Sequence, residues 1–304
     1  QHARETGLEL DVHESAFWPD GTHRVGGREY NGLIESGCYQ KGKMTCLSCH
    51  SMHSYREPSD QLSKTMEGND TCLQCHPKYN EQISEHTHHA SDSTGSQCYN
   101  CHMPHTTFAL FKGIRSHRVD SPKSEVFVKS GRPNACNLCH LDQTLQWTVD
   151  SLHKWYGQPK ISLNNDNQTI AASLLWLLNG DAAQRAIAVW SATWKPAKDA
   201  SNDDWTVPYV AELLMDPYAA IRFMAARSLE SSGVKLDPDF NFVGPSSDRE
   251  LERDRVNAAW QSSLRSERPD RYQRLLFDVN GLPKRNEVKR LIRSRSDKPV
   301  FIAE

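Results

Sequence analysis

The chain has 304 residues, of which 37% are hydrophobic, and carries 36 Lys and Arg residues against 38 Asp and Glu residues. This length predicts one large domain or two ordinary ones. The formal net charge of −2 excludes a chain that binds nucleic acid through its overall charge. No apolar run reaches the roughly 18 residues that a membrane-spanning helix requires, so we expect no transmembrane segment.

The first 45 residues are rich in glycine, histidine and charged side chains and show no sustained hydrophobic period. The chain starts without the apolar stretch of a signal peptide. We therefore interpret it as a mature form, with a piece of a longer protein as the alternative. Cys38 lies in this segment, and we favour a small, partly buried side chain over an iron ligand or an intermolecular thiol.

Residues 46–140 contain four copies of the pentapeptide Cys-x-x-Cys-His. This is the attachment signature of haem c, because the two thiols reach the two vinyl groups of one porphyrin and the histidine becomes the proximal iron ligand. Zinc sites and disulfides would not require a histidine after every second cysteine. The sequence therefore predicts four haems c, held by Cys46, Cys49, His50, Cys72, Cys75, His76, Cys98, Cys101, His102, Cys136, Cys139 and His140.

Ten further histidines are available for the four sixth coordination positions, so a protein with only bis-histidine irons is possible. Our candidates among them are His53, His86, His89 and His117, with His88, His13 and His23 in reserve. His86 and His89 belong to a cluster of three histidines in four residues between two motifs, where solvent exposure alone is a poor explanation.

Two motifs continue in ways that resemble known multihaem cytochromes. Cys98 to Pro104 reads Cys-Tyr-Asn-Cys-His-Met-Pro and is followed by His117. This resembles the Cys-x-x-Cys-His-Met-Pro segment of the pentahaem nitrite reductase and hydroxylamine oxidoreductase lineage. Cys46 to His53 reads Cys-Leu-Ser-Cys-His-Ser-Met-His, similar to a form common in multihaem electron carriers. The resemblance implies that His117 ligates a neighbouring haem and that His53 is a distal ligand.

The cluster His86-Thr-His88-His89 and the stretch from Pro133 to His140 are similar to larger bacterial multihaem cytochromes with a helical-repeat tail. The chain departs from the catalytic members of the lineage in one important way, since it contains no Cys-x-x-Cys-Lys site. It also lacks the further upstream haem motifs of many relatives. The resemblance therefore indicates haem binding but does not identify a substrate.

The second half of the chain predicts a different kind of structure, because it has no cysteine after Cys139, no histidine after His153 and strong helix-ending signals. Asp216 to Leu229 reads Asp-Pro-Tyr-Ala-Ala-Ile-Arg-Phe-Met-Ala-Ala-Arg-Ser-Leu and resembles the second half of a HEAT repeat. A generic helical bundle is the alternative. We expect helices at 141–156, 168–178, 182–195, 205–215, 217–231 and 248–265.

The C-terminal stretch is basic and helix-prone. It could dock an acidic haem protein or a neighbouring subunit, although we favour a solvated helix face. The basic residues are Lys284, Arg285, Lys289, Arg290, Arg293 and Arg295.

These observations predict a mainly α protein in which an N-terminal segment (1–45) packs on or leads into a loop-rich tetrahaem domain (46–157), and a HEAT-like or bundle domain (158–304) follows. We expect electron transfer outside the cytoplasm, where bacteria attach haem to such motifs, with redox proteins as partners and further copies or other multihaem subunits as additional candidates. The alternatives are an oxidoreductase acting on a small nitrogen or sulfur species at one open iron, and a subunit of a cytochrome filament or larger electron-transfer complex.

Overall fold

The computed structural model describes residues 16–64, 66–201, 203–263, 273–297 and 300. Helices dominate this part of the chain, and the strands found in it form one two-stranded sheet. The expected mainly α fold class is therefore confirmed. None of the helices in the described ranges combines the length and the hydropathy that a bilayer crossing requires.

The chain forms two compact units. The motif unit comprises residues 27–105 and 115–122, and the helical unit comprises residues up to 26, 106–114 and those from 123 onward. The first three Cys-x-x-Cys-His motifs belong to the motif unit and the fourth belongs to the helical unit. The domain boundaries expected at residues 45 and 157 stay predictions.

The motif unit is built from short elements joined by turns. Leu33 is the one buried hydrophobic side chain among the described residues of this unit, so its chain supplies almost no apolar core of its own. Its helices are α1 (Glu29–Glu35), α2 (Gly37–Gln40), α3 (Asp70–Leu73), α4 (Ile83–Thr87) and α5 (Cys98–His102), with single 3-10 turns at Cys46–Ser48, Pro77–Tyr79 and Thr94–Ser96.

A β-hairpin follows α5, with strands β1 (His105–Phe108) and β2 (Lys112–Arg115). Its turn contains Ala109 and Leu110, both with positive φ, a conformation that L-residues rarely adopt. Leu110 is fully buried, and this burial offsets the backbone strain of the turn.

The helical unit has a large apolar core. Its helix α11 packs against α10 and α14, and α13 packs against α15. Leu174, Ile187 and Ile221, which contribute to this core, are almost fully buried. The helices are α6 (Ser124–Ser130), α7 (Ala135–Cys139), α8 (Leu145–Tyr156), α9 (Asn165–Thr169), α10 (Ala172–Leu178), α11 (Ala182–Thr193), α12 (Lys195–Ser201), α13 (Val207–Glu212), α14 (Ala219–Ser231), α15 (Ser246–Ser262) and α16 (Arg285–Arg293).

Three expected helix boundaries in the helical unit are wrong. Helix α8 begins at Leu145 because the Thr144 hydroxyl accepts the Trp147 backbone N–H and caps the helix, so His140 is not at its start. The helix expected at 168–178 is interrupted at residues 170–171, where the Ala171 N–H bonds to the Arg274 carbonyl instead of continuing the helix. The helix expected at 182–195 ends at Thr193, and a second helix, α12, begins at Lys195 with Pro196 in its first turn.

A fully buried ion pair joins two helical segments of this unit. Arg185 on α11 places its Nε 2.7 Å from one carboxylate oxygen of Asp216 and its Nη2 3.2 Å from the other. Arg185 also donates to the Gly180 carbonyl at 2.7 Å, and Asp216 accepts the Tyr218 backbone N–H at 2.9 Å. Both side chains have 0% exposure, so each relies on these partners in place of water.

Helix α16 contains most of the basic C-terminal stretch. It packs through buried Val288 and Leu291, and Arg290 forms an ion pair with Asp166 at 2.9 Å. The exposed basic side chains of this helix are Arg285, Lys289, Arg290 and Arg293, and three of them, Arg285, Lys289 and Arg293, are spaced four residues apart.

Candidate haem-binding sites

Each Cys-x-x-Cys-His motif contains one tight helical turn. Residues at i, i+3 and i+4 of such a turn lie on one face, so two thiols and the following imidazole are presented together. In three motifs the backbone N–H of the histidine donates to the carbonyl of the first cysteine, at 2.9 Å for His50, 2.9 Å for His76 and 2.8 Å for His140. The third motif forms the short helix α5 itself.

The histidine of the first motif, His50, lies next to His117, which is distant in sequence. The ring centres of His50 and His117 are 6.1 Å apart, and their planes differ by 23°. These residues are far apart in sequence, and both belong to the motif unit. The structure therefore pairs a proximal histidine with one of the sequence-based candidates for a sixth ligand.

Helix α1 determines where His117 lies. The Ser36 hydroxyl, at the end of α1, donates to the His117 carbonyl at 3.1 Å and accepts the Val119 backbone N–H at 2.9 Å. Gly32 lies so close to this segment that a Cβ atom on it would be 2.6 Å from the backbone nitrogen of Arg118. The His117 backbone is thus packed directly against α1, and Glu35 binds Arg118 at 3.2 Å.

The third motif forms the same kind of pair. His102, at the end of α5, and His86, on α4, have ring centres 6.1 Å apart and planes that differ by 6°. His86 comes from the histidine cluster that the sequence singled out. Tyr79 contacts the His86 ring at a centre-to-centre distance of 4.6 Å and restricts its orientation.

Backbone carbonyls fix which ring nitrogen each of these histidines presents. Nδ1 of His50 lies 2.8 Å from the Asp60 carbonyl oxygen, and Nδ1 of His102 lies 3.0 Å from that of Asp120. Nδ1 of His117 lies 3.2 Å from the Arg115 carbonyl oxygen. Because a carbonyl only accepts, Nδ1 carries the proton in each ring and Nε2 keeps its lone pair for a metal.

Burial favours the neutral form of three of the paired imidazoles, those of His86, His102 and His117, and the neutral form is the one that binds iron. Burial is the largest cause that lowers the pKa of His86, His102 and His117 below the ordinary value for histidine. Burial raises the pKa of the Cys101 thiol to about 11. The neutral Nε2 lone pair is therefore available near neutral pH without displacing a proton.

The residues present fit haem c. One iron between two imidazoles needs about 2 Å for each metal–nitrogen bond and about 1 Å from each nitrogen to its ring centre, which gives about 6 Å between ring centres. Both histidine pairs match this separation at 6.1 Å. The motif unit also needs apolar groups that its chain does not supply, and porphyrin faces would provide them. In the described part of the chain, no group of three or more His, Cys, Asp and Glu side chains is gathered to hold a metal ion.

The second motif lies next to the third. The Cys72 thiol donates a hydrogen bond to Cys98, which raises the pKa of Cys72 and lowers that of Cys98 to about 7. The ring centres of His76 and Tyr79 are 6.4 Å apart. Tyr79 is therefore a neighbour both of the histidine of the second motif and of His86, which pairs with the histidine of the third.

The fourth motif is held by a buried polar network. Asn134 caps α7 by accepting the Asn137 backbone N–H at 3.0 Å. The Asn137 side chain accepts from the Thr148 hydroxyl at 2.7 Å and so ties α7 to α8. Trp147 on α8 contacts His140, with ring centres 5.0 Å apart.

The other sequence candidates have different surroundings. His53 is exposed, and its backbone N–H lies 3.4 Å from the Ser51 hydroxyl. His89 directs Nδ1 to the Thr87 carbonyl at 2.7 Å and packs on Gly95. His88 is an exposed residue with φ of 58°. His53 and His89 stay predicted ligands, with His88 in reserve.

Of the reserve candidates, His23 is 3% exposed and belongs to the helical unit, whereas His13 lies outside the described residues. Cys38 is partly buried. Its expected role as a small packed side chain stays a prediction.

Sequence reasoning missed three side chains at these sites: Asn69, Tyr79 and Trp147. Trp147 had a signal, since it lies on a predicted helix near the fourth motif. Tyr79 comes three residues after His76, a spacing typical of neighbours in a helical turn. Asn69, three residues before Cys72, gave no signal, because its partners are 27 and 29 positions away.

Comparison with known proteins supports the motif assignment. Residues 39–81, which contain the first two motifs, match a family model described as a doubled CXXCH motif. No curated protein and no solved structure matches the chain. The doubled motif indicates that this chain binds haem c covalently.

Proposed function

We propose that the chain transfers electrons through four covalently attached haems c with closed, bis-histidine irons. The observation that carries the proposal is the pair of histidine contacts at 6.1 Å, His50 with His117 and His86 with His102. Bound haem c supplies an iron that accepts and releases one electron. The four cysteine pairs hold the porphyrins through thioether bonds.

The histidine pairs favour electron transfer over catalysis. His117 and His86 would fill the sixth position of the first and third irons, so water and small substrates would be excluded from both. His53 and His89 remain the candidates for the other two irons. Because carbonyl acceptors fix the rings of His50, His102 and His117, little reorganisation of these rings would accompany a change of oxidation state.

The partners follow from this role. A protein that carries electrons without binding a substrate needs a donor and an acceptor, and we expect both to be redox proteins outside the cytoplasm. Helix α16 carries exposed Arg285, Lys289 and Arg293, and for these we favour a solvated helix face over a docking site for an acidic partner.

Electron paramagnetic resonance of the oxidised holoprotein tests the proposal. We expect low-spin signals that cyanide and nitric oxide leave unchanged. His117→Met and His86→Met should each perturb one low-spin haem. His153→Met is the matched control, because His153 also directs Nδ1 to a backbone carbonyl, that of Gln158 at 2.7 Å, but is exposed on α8.

Mass spectrometry of the denatured holoprotein measures the haem number separately, and we expect four. A mass increment of three haems or fewer contradicts the stoichiometry. A high-spin iron in the unmodified protein that binds cyanide contradicts the closed coordination and favours the oxidoreductase.

A further inference from the structure

One side chain ties the second motif to the third. The Asn69 amide donates from Nδ2 to the Ser96 carbonyl at 2.8 Å and accepts the Cys98 backbone N–H on Oδ1 at 2.8 Å. The Asn69 carbonyl accepts the Cys72 backbone N–H, also at 2.8 Å. A single residue thus bonds to the backbone of the first cysteine in both motifs.

The first cysteine of each motif attaches to one edge of its porphyrin. Because Asn69 accepts the backbone N–H groups of both Cys72 and Cys98, it brings the attachment edges of the second and third haems close together.

Tyr79 connects the same two sites through their histidines. Its ring centre lies 6.4 Å from that of His76 and 4.6 Å from that of His86. Lys78 places Nζ 4.7 Å from the Tyr79 ring centre and covers the ring with a positive charge. The phenol ring is therefore a neighbour both of the proximal imidazole of the second site and of the expected distal imidazole of the third.

We propose that Asn69 and Tyr79 are positioning residues that fix the second haem site against the third and so set the electronic coupling between their irons. The inference rests on the proposed electron-transfer function. Asn69 acts through the backbones of the two cysteine motifs, and Tyr79 acts through the orientation of His86. Neither residue binds iron.

The two residues should have separable effects. Asn69→Ala removes both hydrogen bonds of the Asn69 side chain and so allows the second motif to move relative to the third. Asn69→Asp keeps an acceptor for the Cys98 N–H and loses only the donor to Ser96. Tyr79→Leu removes the ring that restrains His86, which is nearly parallel to His102 at 6°, whereas Tyr79→Phe keeps it.

The test uses oxidised holoprotein and electron paramagnetic resonance, with haem content measured by mass spectrometry. We expect a magnetic interaction between two low-spin irons in the unmodified protein. Asn69→Ala should weaken it, Asn69→Asp should weaken it less, and Tyr79→Leu should shift the g-values of one interacting haem because the His86 plane rotates. Tyr79→Phe should behave as the unmodified protein. Asn80→Ala, at an exposed position nearby, is the control.

Several outcomes would overturn the proposal: no interacting pair in the unmodified protein, unchanged signals in both Asn69→Ala and Tyr79→Leu, or an equal change in Asn80→Ala. If Asn69→Ala does not retain its haems, Asn69→Asp and Tyr79→Leu decide the matter. Cyanide binding to the unmodified protein would contradict the electron-carrier function, but it would leave the magnetic interaction between the second and third sites measurable.

Discussion

Replacing Arg185 by methionine should destabilise the helical unit strongly. The change removes the guanidinium 2.7 Å from the Asp216 carboxylate, which has 0% exposure, and leaves it with the longer ion pair to Arg295 at 3.8 Å. Removing one partner of a buried ion pair costs about 3–5 kcal/mol. For a unit of this size, that loss corresponds to a fall in melting temperature of roughly 10 °C.

The assay is thermal and urea unfolding of the holoprotein, followed by far-ultraviolet circular dichroism. Lys195→Met is the matched control, since the Lys195 and Asp199 side chains form an ion pair at 2.8 Å but are 82% and 52% exposed. Such an exposed pair contributes at most about 0.5 kcal/mol. The double variant Arg185→Met/Asp216→Asn should recover part of the loss, because no unpaired buried charge remains. A loss below about 1 kcal/mol in Arg185→Met would refute the reasoning.

Two further predictions concern the motif unit. Gly32→Ala should perturb the haem signal assigned to His50 and His117, because the new Cβ would lie 2.6 Å from the Arg118 backbone nitrogen. Gly37→Ala is the control and should leave the spectrum unchanged, because a Cβ at that position has no atom within 4 Å. Equal spectra for the two variants would contradict the packing argument. Burial, with Arg115 nearby, lowers the pKa of His105 from 6.5 to about 2, so below pH 6.5 the unfolded chain binds a proton that the folded chain does not. Stability should fall by about 2 kcal/mol between pH 7 and pH 5, and less in His105→Gln. Urea midpoints at both pH values measure this, and an identical decrease in the variant would exclude His105 as its source.

The helical half of the fold was largely predictable because its signals are local. Asp181, the residue before α11, caps this helix by accepting the backbone N–H groups of Ala183 and Gln184. The errors occurred where a tertiary contact overrode a local preference. Ala171 gives its N–H to the Arg274 carbonyl, an interaction that no local pattern reveals, and the expected helix is interrupted there.

The haem sites were predictable only in part. The cysteines and proximal histidines follow from a five-residue pattern, since one helical turn contains the whole motif. The assignment of a distal histidine to a particular iron depends on loops that bring His117 to His50 and His86 to His102, and spacing alone does not give these pairs. The roles of Asn69 and Tyr79 could not be predicted, because they depend on contacts with two motifs that only the fold brings together.

Backbone carbonyls, rather than side chains, accept the Nδ1 protons of three of the paired histidines, and this limits how substitutions can affect these rings. His50, His102 and His117 all donate from Nδ1 to main-chain carbonyls, those of Asp60, Asp120 and Arg115. A carboxylate acceptor could be gained or lost by one substitution, and each such change would alter ligand basicity and with it the reduction potential. A carbonyl persists whatever side chain the residue carries. If these histidines bind iron as proposed, substitutions at Asp60, Asp120 and Arg115 would leave this contribution to the reduction potential unchanged, provided that the path of the backbone is preserved.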